Sequence, residues 1–424
     1  MYYYLIGIKG SGMSALAKVL LDDGHNVSGA DELRHYYTED GLNVKIDSLD
    51  NIPFNKDYIY IIGNAYINHN ATNKIKKECL NYYTYPDFLN SYFSNYKLIT
   101  VSGSHGKTTT TKMLAHLCEK SSYIIGDGSG KGGNNNVFIL EACEYRNTFL
   151  SYKPNIAILL NIDYDHPDFF KNEDEYIKSF KEFIDNSNLV IANGDDENIL
   201  KINSKNMILY GMNENNDIRF KSEIINDKTK VYLLGEEYTI PTLGIHYVYD
   251  FVGALLASKY LGISSDITRE KIKDFVLPKR RLETKEYNKS ILIHDYAHHP
   301  KEIECVHETL RLKYPNYKIN CIFEPHTLSR SIGLKDEFKK SLGLFDEVYL
   351  LPIFTSVRET KNIALENQIY EYWGYKRINE SFIKRIINDN QIYAFLGAGD
   401  INEVFLKVFR NWKYQVILYI KTIS

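Results

Sequence analysis

Residues 97–117 read KLITVSGSHGKTTTTKMLAHL, and this stretch decides the fold class of the 424-residue chain. The apolar run Lys97–Ser102 predicts a short strand, and Thr110–Glu119 predicts the helix that follows it. The glycine-rich loop between them offers backbone N–H groups to phosphate oxygens. Lys107 adds a positive charge at the phosphates, and Thr108 adds a hydroxyl for Mg²⁺. The stretch therefore predicts a nucleotide-binding loop.

This loop is a shortened variant of the usual phosphate-binding motif. Val101 stands five residues before Gly106, where the complete motif has Gly or Ala. The alternative interpretation is an ordinary turn with a surface lysine. A strand directly before the loop and a helix directly after it favour the nucleotide site.

A second glycine-rich turn lies near the N-terminus. Tyr2–Ile8 predicts a strand, Met13–Asp23 a helix, and Asn26–Gly29 a second strand that leads to Asp31. Backbone N–H groups and the positive end of the helix dipole favour a phosphate at such a turn. The glycines follow the order G-x-x-G-x-G, whereas the dinucleotide fingerprint is G-x-G-x-x-G, which weakens a nicotinamide interpretation.

Polar residues follow the two predicted strands Val137–Leu140 and Ile156–Leu160. Ligands of parallel sheets lie outside the carboxyl ends of the strands, so Glu141 and His166 are candidate ligands of Mg²⁺. From the residues alone, other roles are equally open. Glu141 can cap a helix or form a surface ion pair, and His166 can be a hydrogen-bonded loop histidine.

A third block begins near Lys279 and again alternates strands with helices. The predicted elements are strands at Ser290–His294, Ile319–Phe323, Glu347–Leu351 and Ile392–Leu396, and a helix at Lys301–Tyr314. The alternation along the whole chain predicts α/β architecture in several domains. We expect the stretch Tyr82–Asn95, which contains Pro86, to be an interdomain connection.

Several polar residues of this block are candidate ligand contacts. Asp295 follows a strand and can accept hydrogen bonds from a ribose. Arg280 and Arg281 suit phosphate oxygens, unless they form a solvated basic patch. The adjacent residues His298 and His299 lack the ligand spacing of a zinc site.

Composition narrows the class of protein. A formal charge of −3 gives no indication of a nucleic-acid partner. The five cysteines are dispersed without CxxC spacing, which is typical of reduced cytosolic thiols. The apolar runs at the N-terminus and at Tyr414–Ile420 are too short to span a membrane, so we expect a cytoplasmic protein.

Together these stretches resemble the Mur ligase family. The matching segments are GIKGSGMSALA at 7–17, SGSHGKTTTTKM at 102–113, GDGSGKG at 126–132, EACEYRNTFLSYKP at 141–154, NIDYDHPD at 161–168, KRRLE at 279–283, DYAHHPKEI at 295–303, EPHTLSR at 324–330 and LGAGDI at 396–401. The resemblance implies an α/β protein of three domains. These are a Rossmann-like UDP-sugar-binding domain at 1–90, a central P-loop ATPase domain with a parallel sheet at 97–278, and a C-terminal Rossmann-like domain at 279–424.

Within the family, the segments are most similar to the enzymes that join L-alanine to UDP-N-acetylmuramate. The resemblance therefore implies an ATP- and Mg²⁺-dependent ligase of peptidoglycan precursor synthesis that works through an acyl phosphate. Two alternatives stay open: a murein-tripeptide-recycling ligase of the same family, and a nucleotide-binding regulatory module without ligation.

The resemblance also assigns candidate site residues. The ATP-binding set is Gly103, Ser104, His105, Gly106, Lys107, Thr108, Thr109, Arg281 and Asp295. The UDP-binding set is Gly7, Gly10, Ser11, Gly12, Met13, Ser14 and Asp31. The acceptor set is His298, His326 and Arg330. The metal ligands would be Thr108, Glu141 and His166, and the catalytic residues Lys107, Glu141 and His166.

Two positions depart from the family pattern or are ambiguous. The family motif G-x-H-x-x-x-N-x-x-A begins here at Gly244 and carries Asp250 in place of the asparagine that would contact adenine. A carboxylate lacks the amide donor, so adenine recognition must differ at this point. Lys181 lies near the position of a carbamylated lysine in some members, but its helix has the pattern of a solvated amphipathic helix.

Overall fold

The computed structural model describes residues 1–32, 34–78, 80–355 and 359–409, and these form three sheets with helices between their strands. The predicted α/β class is confirmed. Cys79 and Tyr414–Ile420, considered above, lie outside the described residues. The chain forms two compact units, one of residues 1–164, 172–241 and 247–276, the other of residues 165–171, 242–246 and 277 onward.

The first sheet belongs to the first unit and is parallel throughout, with strand order β3-β2-β1-β4-β5. Its elements are β1 (Tyr2–Ile6), α1 (Ser11–Asp22), β2 (Asn26–Asp31), β3 (Ile46–Ser48), β4 (Tyr58–Ile62), α2 (Asn70–Lys77), β5 (Tyr82–Thr84) and α3 (Tyr85–Tyr92). Strand β1 lies between β2 and β4, so the strand order reverses there. The glycine turn after β1 therefore opens into the crevice where such sheets bind ligands.

The stretch Tyr82–Asn95, predicted as an interdomain connection, is structured and leads from the first sheet to the first strand of the second sheet. It supplies the edge strand β5, helix α3 and a 3₁₀ turn at Phe93–Asn95. Phe88 and Leu89 are buried, and this apolar face holds α3 against the unit. Pro86 stands in the first turn of α3, where a missing N–H costs no helical hydrogen bond.

The second sheet, also in the first unit, has ten strands in the order β15-β14-β13-β12-β11-β10-β6-β9-β7-β8. Its elements are β6 (Lys97–Ser102), α4 (Lys107–Leu117), β7 (Ser122–Ile124), β8 (Gly130–Lys131), β9 (Val137–Glu141), β10 (Ile156–Leu159), α5 (Glu173–Asp185), β11 (Leu189–Asn193), α6 (Glu197–Leu200), β12 (Met207–Gly211), β13 (Ile218–Ile225), β14 (Lys228–Leu233), β15 (Glu236–Ile240), α7 (Ile245–Tyr260) and α8 (Ser265–Ile272). Strands β13 to β15 form an antiparallel meander at one edge. The central strand β6 pairs in parallel with β9 and β10, so their carboxyl ends meet around residues 103–109, the predicted phosphate-binding loop.

The third sheet belongs to the second unit and has the order β16-β17-β21-β18-β19-β20. Its elements are β16 (Glu283–Tyr287), β17 (Ser290–Asp295), α9 (Pro300–Lys313), β18 (Ile319–Phe323), α10 (Leu328–Gly333), α11 (Lys335–Leu342), β19 (Glu347–Leu350), α12 (Ile363–Trp373), β20 (Lys376–Arg377), α13 (Ile383–Ile386) and β21 (Ile392–Leu396). All pairs are parallel except β16 with β17. Residues 401–409 are helical and bury Ile401, Val404 and Phe405 against this sheet.

No helix in the described parts of the chain is both long enough and apolar enough to cross a membrane. Cys118, Cys143, Cys305 and Cys321 carry free thiols.

Candidate active site

The phosphate-binding loop is braced by Asn161, which follows the neighbouring strand β10. The N–H of Ser104 donates to the Asn161 carbonyl at 3.1 Å, and the N–H of His105 donates to Asn161 Oδ1 at 2.8 Å. Asn161 Nδ2 returns a hydrogen bond to the His105 carbonyl at 3.1 Å. Three hydrogen bonds from one residue fix the path of the loop before any ligand arrives.

Two glycines permit the shape of this loop. Gly103 and Gly106 have φ of +140° and +81°, in the region that favours glycine. A Cβ on Gly106 would also collide with the carboxylate of Asp250. Because Gly106 is the N-cap, α4 begins at Lys107, three residues before the predicted start. Lys107 and Thr108 thus lie in the first turn, where the backbone N–H groups and the helix dipole favour an anion.

Lys107 is held as a largely buried cation. Its Nζ donates to the Ser104 carbonyl at 3.1 Å and lies 2.9 Å from Glu144 Oε2. Burial lowers the pKa of Lys107, but the Glu144 carboxylate, with Cys143 and Glu141 nearby, more than offsets this, so the pKa is raised. The side chain is therefore charged at neutral pH and stands inside the loop that a phosphate would fill.

Thr108 and Glu141 form an oxygen-lined pair beside this lysine. Thr108 Oγ1 donates to Glu141 Oε1 at 3.0 Å, and the N–H of Gly126 donates to Glu141 Oε2 at 2.6 Å. Burial raises the pKa of Glu141, while Lys107 and the two hydrogen bonds oppose the shift. A hydroxyl and a carboxylate fit Mg²⁺, which prefers oxygen and takes its remaining ligands from water and phosphate. Two of the three predicted metal ligands are thus adjacent.

His166, the third predicted ligand, lies in the second compact unit. It has a φ of +58°, and its N–H donates to Asp165 Oδ1 at 2.7 Å. Its Nε2 lies 3.8 Å from Asp165 Oδ2. Asp165 therefore orients His166, and a metal role for its imidazole stays a prediction. Within the described residues, no three His, Cys, Asp or Glu side chains form a metal cluster.

The glycine turn after β1 is braced by Asp31. The N–H of Lys9 donates to Asp31 Oδ2 at 2.7 Å, and the Tyr66 hydroxyl donates to Asp31 Oδ1 at 2.8 Å. Gly7 has a φ of +82° and lies directly against the Tyr66 ring, so a side chain there would collide with it. Asp31 is buried and shapes the turn in this structure. A direct contact between Asp31 and UDP stays a prediction.

The N-terminus of α1 faces the crevice of the first sheet. The first intrahelical hydrogen bond runs from the N–H of Ser14 to the carbonyl of Gly10 at 2.8 Å. The N–H groups of Ser11, Gly12 and Met13 precede it, and such groups suit a diphosphate. The Ser14 hydroxyl is already used, because it donates to the Thr38 carbonyl.

Asp295 and Arg281 lie together in the second unit. The N–H groups of Leu282 and Ala297 each donate to Asp295 at 2.9 Å. Arg281 Nη1 lies 3.6 Å from Asp295 and 3.4 Å from Glu302. Burial raises the pKa of Asp295, and Arg281 opposes the shift. Asp295 organises its own loop, and the predicted contact with ribose is untested.

Arg280 is not part of a solvated basic patch, and that alternative is wrong. Arg280 is buried, and its Nη2 donates to the carbonyls of Gly397 and Gly399 at 3.3 and 3.4 Å. Its guanidinium lies 4.7 Å from the centre of the Tyr296 ring. Arg280 therefore ties the loop after β21 to the loop after β17.

The three predicted acceptor residues converge at the carboxyl edge of the third sheet. Arg330 Nη1 lies 3.1 Å from His326 Nδ1, and the rings of His298 and His326 are 5.6 Å apart. Arg330 also binds Asp165 through two hydrogen bonds of 2.8 and 3.1 Å. Although burial raises the pKa of Asp165, Arg330 and two histidines hold it well below its usual range. Burial lowers the pKa of His298, which favours a neutral imidazole at this edge.

Two sequence profiles match the chain. The profile "Mur ligase family, catalytic domain" matches residues 2–96, and "Mur ligase middle domain" matches residues 129–258, together more than half of the chain. The chain belongs to the Mur ligase family. This confirms the family expectation drawn from the sequence motifs.

Solved structures share the fold of this Mur ligase at low identity. The UDP-N-acetylmuramate-alanine ligase MurC of Thermotoga maritima is 23% identical, with a TM-score of 0.79 over 98% of this chain and 100% of that one. The murein peptide ligase of Psychrobacter arcticus is 20% identical, with a TM-score of 0.72 over 96% and 98%. The MurF ligase of Thermotoga maritima, solved in complex with ADP, is 17% identical, with a TM-score of 0.60 over 90% and 87%. Mur ligases use ATP, and the likeness extends over the three-domain architecture.

Three residues of the candidate site had no role that could be assigned from the sequence. Glu144 and Asp165 are buried carboxylates that pair with Lys107 and Arg330. Asn161 braces the phosphate-binding loop. Each follows a predicted strand, which was a usable signal. Their partners lie far away in sequence, so only the folded chain shows which charges meet.

The two ambiguous positions also have clear places in this Mur ligase. Asp250 is buried in α7 with its carboxylate against Gly106. Lys181 is half exposed on α5 and pairs with Asp185 four residues later at 2.5 Å. That is the geometry of a solvated helix face rather than of a metal bridge.

Proposed function

We propose that this Mur ligase joins L-alanine to UDP-N-acetylmuramate with ATP, through an acyl phosphate, in peptidoglycan precursor synthesis in the cytoplasm. One observation carries the proposal. The largely buried cation Lys107 lies in a braced glycine-rich loop next to the Thr108–Glu141 oxygen pair. A cation and a metal-binding pair at one point suit transfer of a phosphoryl group between two anions.

The chemistry requires that arrangement. A carboxylate is a poor electrophile, so its oxygen first attacks the γ-phosphorus of ATP and ADP leaves. The resulting acyl phosphate is attacked by the amine of L-alanine, which loses a proton, and phosphate departs as the amide forms. Lys107 offsets the charge of the approaching anions. Mg²⁺, when bound at Thr108 and Glu141, would supply further charge compensation at the phosphates.

We assign binding of the acceptor to the third sheet. The guanidinium of Arg330 and the rings of His298 and His326 form a compact polar group there. Asp165 engages Nε and Nη2 of Arg330, and Nη1 lies 3.3 Å from the His326 carbonyl, so the guanidinium is held in place by protein groups on three sides. We place the alanine carboxylate beside this fixed positive charge. We place the UDP diphosphate at the N-terminus of α1 and ATP in the central domain. We delimit the UDP-sugar domain at residues 1–90, the central domain at 97–278 and the C-terminal domain at 279–424.

The test measures phosphate release from ATP and Mg²⁺ with UDP-N-acetylmuramate and either L-alanine or the murein tripeptide. We expect release with L-alanine at least tenfold above that with tripeptide. The opposite preference would support a tripeptide ligase, and no release with either would support a regulatory nucleotide-binding module.

Substitution of the loop lysine ties any release to this site. Lys107→Ala should retain less than a tenth of wild-type turnover, because the charge at the transferring phosphate is lost. Lys120→Ala removes an exposed lysine of the same unit and should leave turnover unchanged. Equal turnover of the two variants would contradict the role of Lys107.

A further inference from the structure

Tyr85 occupies a point where the first sheet approaches the second. It is the first residue of α3 and directly follows β5, and Thr84 caps the helix by accepting the N–H of Asp87. Because β5 runs parallel to β4 and β1, Tyr85 lies at the same edge of the sheet as the glycine turn. Tyr85 is therefore at the ligand edge, although no motif marks it.

The Tyr85 hydroxyl lies against the N-terminus of α1. A Cβ built on Gly12 would stand 2.8 Å from Tyr85 Oη and 3.1 Å from its Cζ. Contacts this short require the neighbour to move, so glycine at position 12 leaves the room that Tyr85 occupies. The Tyr85 side chain therefore accounts for glycine at position 12, the last glycine of the turn.

Tyr85 also lies within electrostatic reach of groups at the carboxyl end of β9 in the second sheet. Burial raises the pKa of Tyr85, and the nearby Glu141 carboxylate and Cys143 raise it further. Glu141 is the carboxylate that accepts the Thr108 hydroxyl beside the phosphate-binding loop. Tyr85 therefore lies against the N-terminus of α1 and within electrostatic reach of Glu141 of the proposed metal pair, and all three belong to one compact unit.

Among the residues that the structure describes, the Tyr85 hydroxyl has no hydrogen-bond partner. Tyr85 is half-buried, and its O–H donates to no group of another described residue. The other phenols near the glycine turn are used, since Tyr66 donates to Asp31. A phenol that remains protonated at neutral pH is a hydrogen-bond donor, and this one lies against the N-terminus of α1 at Gly12.

We propose that Tyr85 donates a hydrogen bond to the carboxylate of the sugar nucleotide, and so positions that carboxylate for phosphorylation. The inference rests on the proposed function. The diphosphate at α1 and the γ-phosphate at Lys107 define the two ends of the reacting assembly. The carboxylate must lie between them, which is where Tyr85 stands. A neutral donor suits this point because it binds an anion without attracting a second metal ion.

The test compares two sugar nucleotides by calorimetry with wild type and Tyr85→Phe, in the absence of ATP. UDP-N-acetylmuramate carries the lactyl carboxylate, and UDP-N-acetylglucosamine lacks it. We expect Tyr85→Phe to bind UDP-N-acetylmuramate about 10-fold more weakly than the wild type does, because its hydrogen bond to the charged carboxylate is lost. The affinity for UDP-N-acetylglucosamine should not change, because that ligand has no carboxylate. Tyr83→Phe, an exposed tyrosine of β5, is the matched control and should change neither affinity.

Each other outcome has a definite meaning. Equal weakening of both ligands in Tyr85→Phe would assign the tyrosine a packing role on the glycine turn and overturn the inference. Unchanged affinity for both would also overturn it. Wild-type protein that binds UDP-N-acetylglucosamine but not UDP-N-acetylmuramate would instead contradict the proposed function, so the two failures are distinguishable.

Discussion

Lys107 Nζ lies 2.9 Å from Glu144 Oε2, in an ion pair whose side chains are 12% and 2% exposed. Removing one partner of a buried pair leaves the other charge uncompensated. We expect Glu144→Gln to lower the free energy of unfolding by about 2–4 kcal/mol. Saturating MgATP should restore part of this loss, because its phosphates supply the missing negative charge. Thermal unfolding with and without MgATP measures both effects.

Glu119→Gln is the matched control for that prediction. Glu119 pairs with Lys271 at 3.1 Å, but its side chain is 70% exposed. Exposed pairs contribute little, so this variant should unfold like the wild type. If Glu144→Gln were as stable as Glu119→Gln, the pair would not hold the loop.

Asp250→Asn should tighten ATP binding. The structure adds a reason to the one drawn from the sequence, because the Asp250 carboxylate lies against Gly106 in the phosphate-binding loop. The amide removes a negative charge from beside the phosphates and offers adenine both a donor and an acceptor. Calorimetry should show several-fold tighter ATP binding by Asp250→Asn. The control Asp274→Asn, at an exposed site, should bind ATP with the affinity of the wild type. Unchanged or weaker binding by Asp250→Asn would contradict this account.

The strands around the site could be predicted because apolar runs next to glycine or polar residues mark their ends. The bounds of β6, β18 and β21 match the prediction. The start of α4 did not, since a left-handed glycine N-cap starts the helix three residues early. The meander β13–β15 was missed. Its strands mix exposed and buried positions, so they lack the continuous apolar runs that mark the central strands of the sheet.

The site was predictable only where a motif names a residue. Lys107 and Thr108 follow from the loop pattern. Glu144, Asp165 and Tyr85 do not, because each acts through a partner that is remote in sequence. Charge pairing across strands is a property of the folded sheet, so residue type and spacing could not reveal it.

Glu324 should make the stability of the second unit depend on pH. Burial raises the pKa of Glu324 to about 7, although the N–H groups of Ile401 and Gly399 oppose the shift. A carboxyl whose pKa is higher in the folded state stabilises the protein fully below its unfolded pKa, about 4.3. This contribution is lost as the pH rises through about 7.

Glu324→Gln tests this linkage, because an amide can accept the same N–H groups without ionising. Relative to the wild type, the variant should gain about 3 kcal/mol of unfolding free energy between pH 4.5 and pH 8.5. Denaturant unfolding at the two pH values measures the difference. Glu337→Gln, at an exposed position of α11, should show no such gain. Equal pH dependence in the two variants would refute the prediction.

His166→Ala tests the third predicted metal ligand. Two oxygen ligands are too few to hold Mg²⁺ alone, so binding should require nucleotide or phosphate. If His166 binds a metal, its removal should raise the Mg²⁺ concentration for half-maximal ligation by about 10-fold. Titration of the ligation rate against Mg²⁺ measures this. An unchanged Mg²⁺ requirement, with lower stability alone, would show that His166 only shapes its loop with Asp165.

The acyl-phosphate path is tested most directly by following one oxygen. UDP-N-acetylmuramate with ¹⁸O in both carboxylate oxygens is ligated to L-alanine with ATP, and the released phosphate and nucleotide are analysed by mass spectrometry. The account predicts one ¹⁸O in each inorganic phosphate and none in the nucleotide, because the carboxylate oxygen that attacks the γ-phosphorus leaves with the phosphate. Amide product accompanied by ¹⁸O-labelled AMP, or by phosphate without label, would contradict it.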